Sequence, residues 1–145
     1  MKYGQRRVFA RVLGGLLASA AKSSESLPDV LIPVPLHESR QLLRGYNQAA
    51  DIGRWCANEL DLQYKPWLVS RVYDTGSLAG LSKTARQLRI LGAFKASPDV
   101  KGCRIAIVDD VMTTGATARE LARELYDTGA LSVELWVLAR TSNDR

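Results

Sequence analysis

Four apolar residues in a row, Ile105, Ala106, Ile107 and Val108, run directly into two adjacent acids, Asp109 and Asp110. After Val111 and Met112 comes a short polar loop, Thr113, Thr114, Gly115, Ala116 and Thr117, which opens a helical pattern. A continuous apolar run of this length, with Gly102 just upstream, fits a strand covered on both faces, as in a parallel sheet. Carboxylates at the end of such a strand stand on the rim where open α/β sheets bind ligands. Backbone N–H groups and hydroxyls at a helix N-terminus are well suited to a phosphate. Gly115 has no Cβ, so the chain can turn sharply and approach an anion closely. Acids for sugar hydroxyls beside amides for a phosphate describe a sugar-phosphate site. It is not a Walker loop, because no Gly-Lys-Ser/Thr follows.

The segment resembles the signature of the type I phosphoribosyltransferases, which bind phosphoribosyl pyrophosphate (PRPP). That resemblance implies that Asp109 and Asp110 hold the ribose hydroxyls and, through ribose or water, a Mg²⁺ ion. It also implies that Thr113, Thr114, Gly115, Ala116 and Thr117 wrap the 5′-phosphate. A second stretch narrows the family. Ile32-Pro33-Val34-Pro35-Leu36-His37, then Arg40, then Arg44-Gly45-Tyr46-Asn47-Gln48-Ala49, resembles the ComF/GntX pattern. Gly92-Ala93-Phe94 and Val137-Leu138-Ala139-Arg140 continue the likeness, which runs from about residue 3 to residue 140. The four-cysteine zinc module that commonly precedes this domain in the family does not occur in these residues, which implies either a naturally short form or a truncation.

The implied fold is α/β of the type I phosphoribosyltransferase kind: a central, mainly parallel sheet flanked by helices, with a mobile hood loop. The implied reaction is Mg²⁺-dependent transfer of phosphoribosyl to an acceptor that the sequence does not name, with release of pyrophosphate. Pro35, Leu36, His37, Arg40 and Arg44 then belong to a pyrophosphate loop, and Lys83 and Arg86 reach the pyrophosphate from the hood. Arg44, beside Gly45, is the stronger of the two loop arginines. His37 is the one histidine, and a packing role outweighs catalysis for it. Family relatives are associated with DNA uptake in natural transformation, so competence or nucleotide metabolism is the implied setting. A single-stranded-DNA-binding competence accessory and a non-catalytic PRPP sensor are the rival functions. Single-stranded DNA, a protein of the competence machinery and a second copy of the chain stay open as partners.

Some positions depart from related patterns. In 6-oxopurine salvage enzymes an aspartate handles the proton of the base at the third position after the acid pair. Thr113 stands there, which argues against that kind of salvage. Leu78 and Ile90 occupy positions where ComF relatives usually carry a glutamine and an asparagine.

A chain of 145 residues, 46% hydrophobic and 24% charged, is expected to form one soluble domain with its own core. It divides into an N-terminal helix and connection over 1–26, a core over 27–140 and a tail over 141–145. Cys56 and Cys103 have no metal-ligand spacing and read as small buried hydrophobes in a reducing compartment. A net charge of +5 suits an anionic partner, either a phosphorylated sugar or nucleic acid. Tyr46, Tyr64, Trp67 and Tyr73 are too scattered for a stacking groove. Lys2, Arg6 and Arg7 before an apolar stretch ending in Ala18-Ser19-Ala20 imitate a signal peptide, but Arg11 interrupts it. Phe9, Val12, Leu13, Leu16, Leu17 and Ala20 instead mark the stripe of a surface helix. No segment is long enough to span a membrane, and the cytoplasm is the expected location.

Further elements follow from period and punctuation. Residues 30–34 read as a first central strand and 47–60 as a helix. Residues 62–72 suit a second strand region made irregular by Pro66. Residues 73–91 show no clean period. A strand over 104–109, a helix over 116–128 stopped by Gly129, and a buried final strand over 132–139 complete the set. This alternation predicts a parallel sheet with helices on both faces.

Overall fold

The computed structural model describes residues 3–36, 47–75, 80–112 and 115–140. In chain order the elements are α1 (Tyr3–Ala21), β1 (Val30–Pro33), α2 (Gln48–Leu60), β2 (Gln63–Tyr64), β3 (Val69–Arg71), α3 (Lys83–Ile90), β4 (Phe94–Ala96), β5 (Arg104–Met112), α4 (Ala116–Thr128) and β6 (Ser132–Arg140). Short 3₁₀ turns lie at Pro66–Leu68 and Pro98–Val100. The main sheet is parallel, in the order β2-β1-β5-β6.

The apolar run of β5 is buried because the sheet is covered on both sides. Alternation sends Ile105 and Ile107 to one face, where they pack with Leu121 and Leu125 of α4. It sends Ala106 and Val108 to the other, against Ile52, Cys56 and Ala57 of α2 and Ala10, Leu17 and Ala18 of α1. Each of the four β5 residues is at most 1% exposed, so the run has no solvent face to make polar.

Helix α1 was expected to bury its large apolar stripe, and the structure corrects this. Phe9, Val12 and Leu16 are each more than half exposed, and Ala20 is exposed too. The contact with α2 is made by Ala10, Gly14 and Ala18, one turn apart, with Leu13 and Leu17 beside them. Small residues let the two backbones come close, and closeness decides the buried face. A Cβ on Gly14 would fall 2.6 Å from the Trp55 Cβ and 2.8 Å from the Ile52 carbonyl oxygen. Gly14→Ala is therefore expected to cost about 1–3 kcal/mol by overpacking. Gly15 has nothing within 4 Å of a built Cβ, so Gly15→Ala should be neutral or stabilise by up to about 1 kcal/mol. Denaturant melts of the two variants would show opposite signs, and equal behaviour would contradict the packing account.

The expected strand region 62–72 is two strands in two sheets. Gln63–Tyr64 lies parallel to β1, then Pro66 opens a 3₁₀ turn that carries the chain off the sheet. Val69–Arg71 pairs antiparallel with β4, with Arg71 opposite Phe94. Helix α3 lies within the segment that showed no period. Ser82 caps it, its Oγ accepting from the Ala85 N–H at 3.1 Å, and of its residues Ile90 is the buried one. This second layer, β3, β4 and α3, packs its Val69, Ile90 and Phe94 into the core on the α4 side, with Leu68 of the preceding turn beside them.

Strand β6 begins and ends close to expectation, but it is not buried. All nine of its residues are half-buried or exposed, because β6 is the edge of the sheet. Cys56 is buried between α1 and α2, and burial pushes its thiol up to about 11. Cys103 is half-buried rather than buried, and both cysteines are free. Among the described residues no helix is long and apolar enough to cross a membrane.

Candidate functional site

The site lies at the C-terminal end of the central strand. β5 runs three residues beyond its expected end, to Met112, so Asp109 and Asp110 belong to the strand itself. Asp109 lies within reach of the Arg71 charge on β3, and the Asp110 side chain is close enough to hydrogen-bond with it. The Asp109 Oδ1 accepts the Asp110 N–H at 2.8 Å, and the Asp110 Oδ1 accepts the Val111 N–H at 2.8 Å. Each carboxylate is thus fixed through one oxygen by the backbone next to it.

Burial pushes the Asp109 carboxyl up to about 7, and a hydrogen bond and charge from the Asp110 side chain push the same way. The hydrogen bond from the Asp110 backbone N–H pulls against them and, more weakly, so does the Arg71 guanidinium. A half-buried carboxyl held this far from its ordinary range marks a place where a cation or hydroxyl would be welcome.

Gly115 follows with φ 79° and ψ 5°, a left-handed conformation that favours glycine, and it stands at the N-cap of α4. Having no side chain, it offers no cap to the first turn, and no acid lies there to oppose an anion. Ala116 is buried at the first helical position, and Thr117 is half-buried beside it. Thr113 and Thr114 lie outside the described residues.

Strand β1 brings the second loop to the same rim. Pro33 is in register with Val108, and the Val34 N–H donates to the Val108 carbonyl at 3.0 Å, one residue short of Asp109. Pro35 and Leu36 therefore leave the sheet beside the acid pair. Asn47 holds this exit: its Nδ2 donates to the Val34 carbonyl at 3.1 Å and its Oδ1 accepts from the Ala50 N–H at 3.2 Å. His37, Arg40 and Arg44 lie outside the described residues, as does Leu78.

On α3, Lys83 is exposed and Arg86 half-buried one turn later. The helix stands beside α4, with Thr84 and Leu88 lining one cavity with Ala116 and Arg119. Sequence reasoning missed Arg71. It sits on β3, its charge reaches Asp109, and with Pro35, Leu36 and Ser70 it lines a cavity of about 430 Å³. No local pattern marks it, since β3 has only three residues and its partner strand lies more than twenty residues away.

Hard oxygen donors on a strand end are what Mg²⁺ takes, usually from one or two carboxylates with substrate phosphates completing the shell. Asp109 and Asp110 fit that demand. Among the described residues no group of three or more His, Cys, Asp or Glu forms a separate metal cage.

Residues 47–145 match the family model described as phosphoribosyl transferase domain. The chain belongs to the phosphoribosyltransferase domain family. Curated relatives place it in the ComF branch of that family, as the sequence resemblance implied. The chain is similar to "Competence protein F" of Haemophilus influenzae, 36% identical over 138 residues, which are 92% of this chain and 60% of that protein. It is 33% identical over 146 residues to "DNA utilization protein YhgH" of Escherichia coli (strain K12), covering 97% of this chain and 64% of that one. It thus spans less than two thirds of these relatives' length.

Solved phosphoribosyltransferases share the fold. Glutamine phosphoribosylpyrophosphate amidotransferase from B. subtilis superposes with a TM-score of 0.60 at 20% identity, covering 88% of this chain and 25% of that one. Hypoxanthine phosphoribosyl transferase from Trypanosoma cruzi gives 0.54 at 18% identity, covering 98% and 68%. The expected phosphoribosyltransferase-like α/β architecture is the one found.

Proposed function

We propose that this phosphoribosyltransferase domain binds PRPP with Mg²⁺ and transfers its phosphoribosyl group to an acceptor, releasing pyrophosphate. The observation that carries the reading is one rim of one sheet bearing a raised-pKa carboxyl, its acidic neighbour and an uncapped glycine-led helix start. Asp109 and Asp110 hold the ribose hydroxyls, and residues 113–117 hold the 5′-phosphate. Pro35 and Leu36, with His37, Arg40 and Arg44 beyond them, line the pyrophosphate side, and Lys83 and Arg86 approach from the hood.

In the transfer the bond between ribose C1 and pyrophosphate oxygen breaks, the pair leaves with pyrophosphate, and an acceptor nucleophile takes C1. The transition state resembles the oxocarbenium ion of glycoside cleavage. Mg²⁺, when bound, supplies positive charge for the departing pyrophosphate. The protein's part is to fix both ends of the pentose so that the leaving group and acceptor lie in line. The names of the similar proteins support a setting in competence or DNA use, and the use of PRPP supports a cytoplasmic one.

The deciding experiment measures Mg²⁺-dependent pyrophosphate release from PRPP across a panel of bases, amines and nucleotide precursors. Saturable PRPP binding with release in the presence of one acceptor class is expected. Saturable binding without release from any acceptor would replace the enzyme by a PRPP sensor. Failure to bind PRPP at millimolar concentration would overturn the site.

A further inference from the structure

Arg71 is held from several directions. Its Nη2 donates to the Thr75 Oγ1 at 3.1 Å, and Thr75 is a polar residue only 5% exposed. Beneath it lies the ring of its cross-strand neighbour Phe94, with the guanidinium carbon 5.3 Å from the centroid. A buried threonine and an aromatic face fix an arginine that would otherwise have several rotamers. Its charge reaches Asp109.

Arg71 also lines the cavity of about 430 Å³ between β3, the exit of β1 and the start of α2. Among the described residues lining that cavity, Arg71 is the charged one, and the rest are apolar apart from Ser70 and Asn47. Asn47 is already committed to Val34 and Ala50. A preset cation, the charged residue among the described ones lining this cavity, whose charge also reaches a carboxylate that would hold ribose, invites an anion attached to that ribose.

We propose that Arg71 grips the pyrophosphate half of PRPP, entering from the β3–β4 layer opposite the loop that follows β1. The inference rests on the PRPP reading of the site and adds a residue to it. A planar, prepositioned guanidinium can pair two phosphate oxygens at once. Arg71 would thereby separate PRPP from ribose 5-phosphate, which presents the same pentose and 5′-phosphate to Asp109, Asp110 and residues 113–117 but nothing to the cavity.

The test is calorimetric titration of the full chain in Mg²⁺ with PRPP, ribose 5-phosphate and inorganic pyrophosphate. Arg71→Gln should weaken PRPP and pyrophosphate by roughly tenfold or more, the loss of one charge-assisted hydrogen bond or more, and leave ribose 5-phosphate within about twofold. Arg71→Lys should recover part of the loss, keeping charge without the fork. Thr75→Val should fall between wild type and Arg71→Gln, because it removes one of the restraints on the guanidinium without removing the charge. Thermal melts would confirm that each variant is folded. Equal weakening of all three ligands would reduce Arg71 to a structural support and overturn the inference, as would unchanged PRPP affinity in Arg71→Gln. Wild-type protein that takes up none of the three ligands would instead bring down the PRPP reading itself.

Discussion

Asp109→Asn is expected to make the unliganded protein more stable at pH 8 and, on the PRPP reading proposed above, to abolish PRPP binding. Both effects have one cause. The folded state raises the Asp109 carboxyl from 3.8 to about 7, chiefly by burial, whereas the unfolded chain keeps it near its ordinary value. Folding therefore favours the protonated form. As pH rises from about 4 to about 7 the unfolded state releases this proton first, and stability contributed by the neutral carboxyl is lost. Above the folded value the penalty is complete. Asparagine keeps an Oδ1 for the Asp110 N–H and carries no charge at any pH. The gain at pH 8 should be about 1–3 kcal/mol, after discounting the shift for partial solvent access. At pH 5 it should be smaller. Scanning calorimetry at the two pH values checks this, and a stability gap that does not widen with pH would sink the electrostatic account. PRPP titrations on the same sample report the second half: the neutral amide cannot hold Mg²⁺ and ribose hydroxyls as the carboxylate does, and the heat of binding should vanish. A residue that opposes folding yet is required for binding is the pattern expected at a functional site.

How much of this could be read in advance depended on the range of the interaction. The β5 run and its acids, and the glycines flanking α4, are local, and their patterns are complete within fifteen residues or so of sequence. Gly115 and Gly129 both adopt the left-handed conformations their positions require. Helix α1 misled because hydropathy weighs Phe9, Val12 and Leu16 heavily, while Ala10, Gly14 and Ala18 barely register. The close approach of two helices is decided by the small residues. Strand β6 misled for another reason: an apolar run looks the same at the centre of a sheet as at its edge. Helix α3 left no period because a single residue, Ile90, is deeply buried, and its start is marked only by the Ser82 cap. Arg71 was invisible because its meaning lies in Thr75, Phe94 and Asp109, which are brought together only by the fold.

Glu120→Ala is expected to destabilise the protein by about 2–4 kcal/mol. Glu120 is 6% exposed on α4, one turn past the N-terminal end of that helix. Its Oε1 accepts from the Arg123 Nε at 3.0 Å, and its Oε2 pairs with the Arg123 Nη2 and accepts the Gly92 N–H at 3.1 Å. One turn along, the Glu124 Oε2 accepts the Ala96 N–H at 2.8 Å. Two carboxylates four residues apart on α4 thus fasten two backbone amides four residues apart, one between α3 and β4 and one at the end of β4. Alanine at 120 would leave the Gly92 amide without this acceptor and Arg123 without its nearer acid, since Asp127 is the more exposed partner. The hydrogen bond from Arg123 holds the Glu120 carboxyl below its usual range. Its contribution is therefore present at neutral pH and is lost as acid protonates the folded state. The difference in melting temperature between wild type and Glu120→Ala should accordingly shrink below about pH 4. Glu124→Ala should cost less, because its hydrogen bond to Ala96 is not joined to an ion pair of a buried carboxylate with an arginine. If Glu120→Ala and Glu124→Ala prove equally mild at pH 7, the two layers are held by their apolar contacts alone, and the carboxylates on α4 merely accompany them.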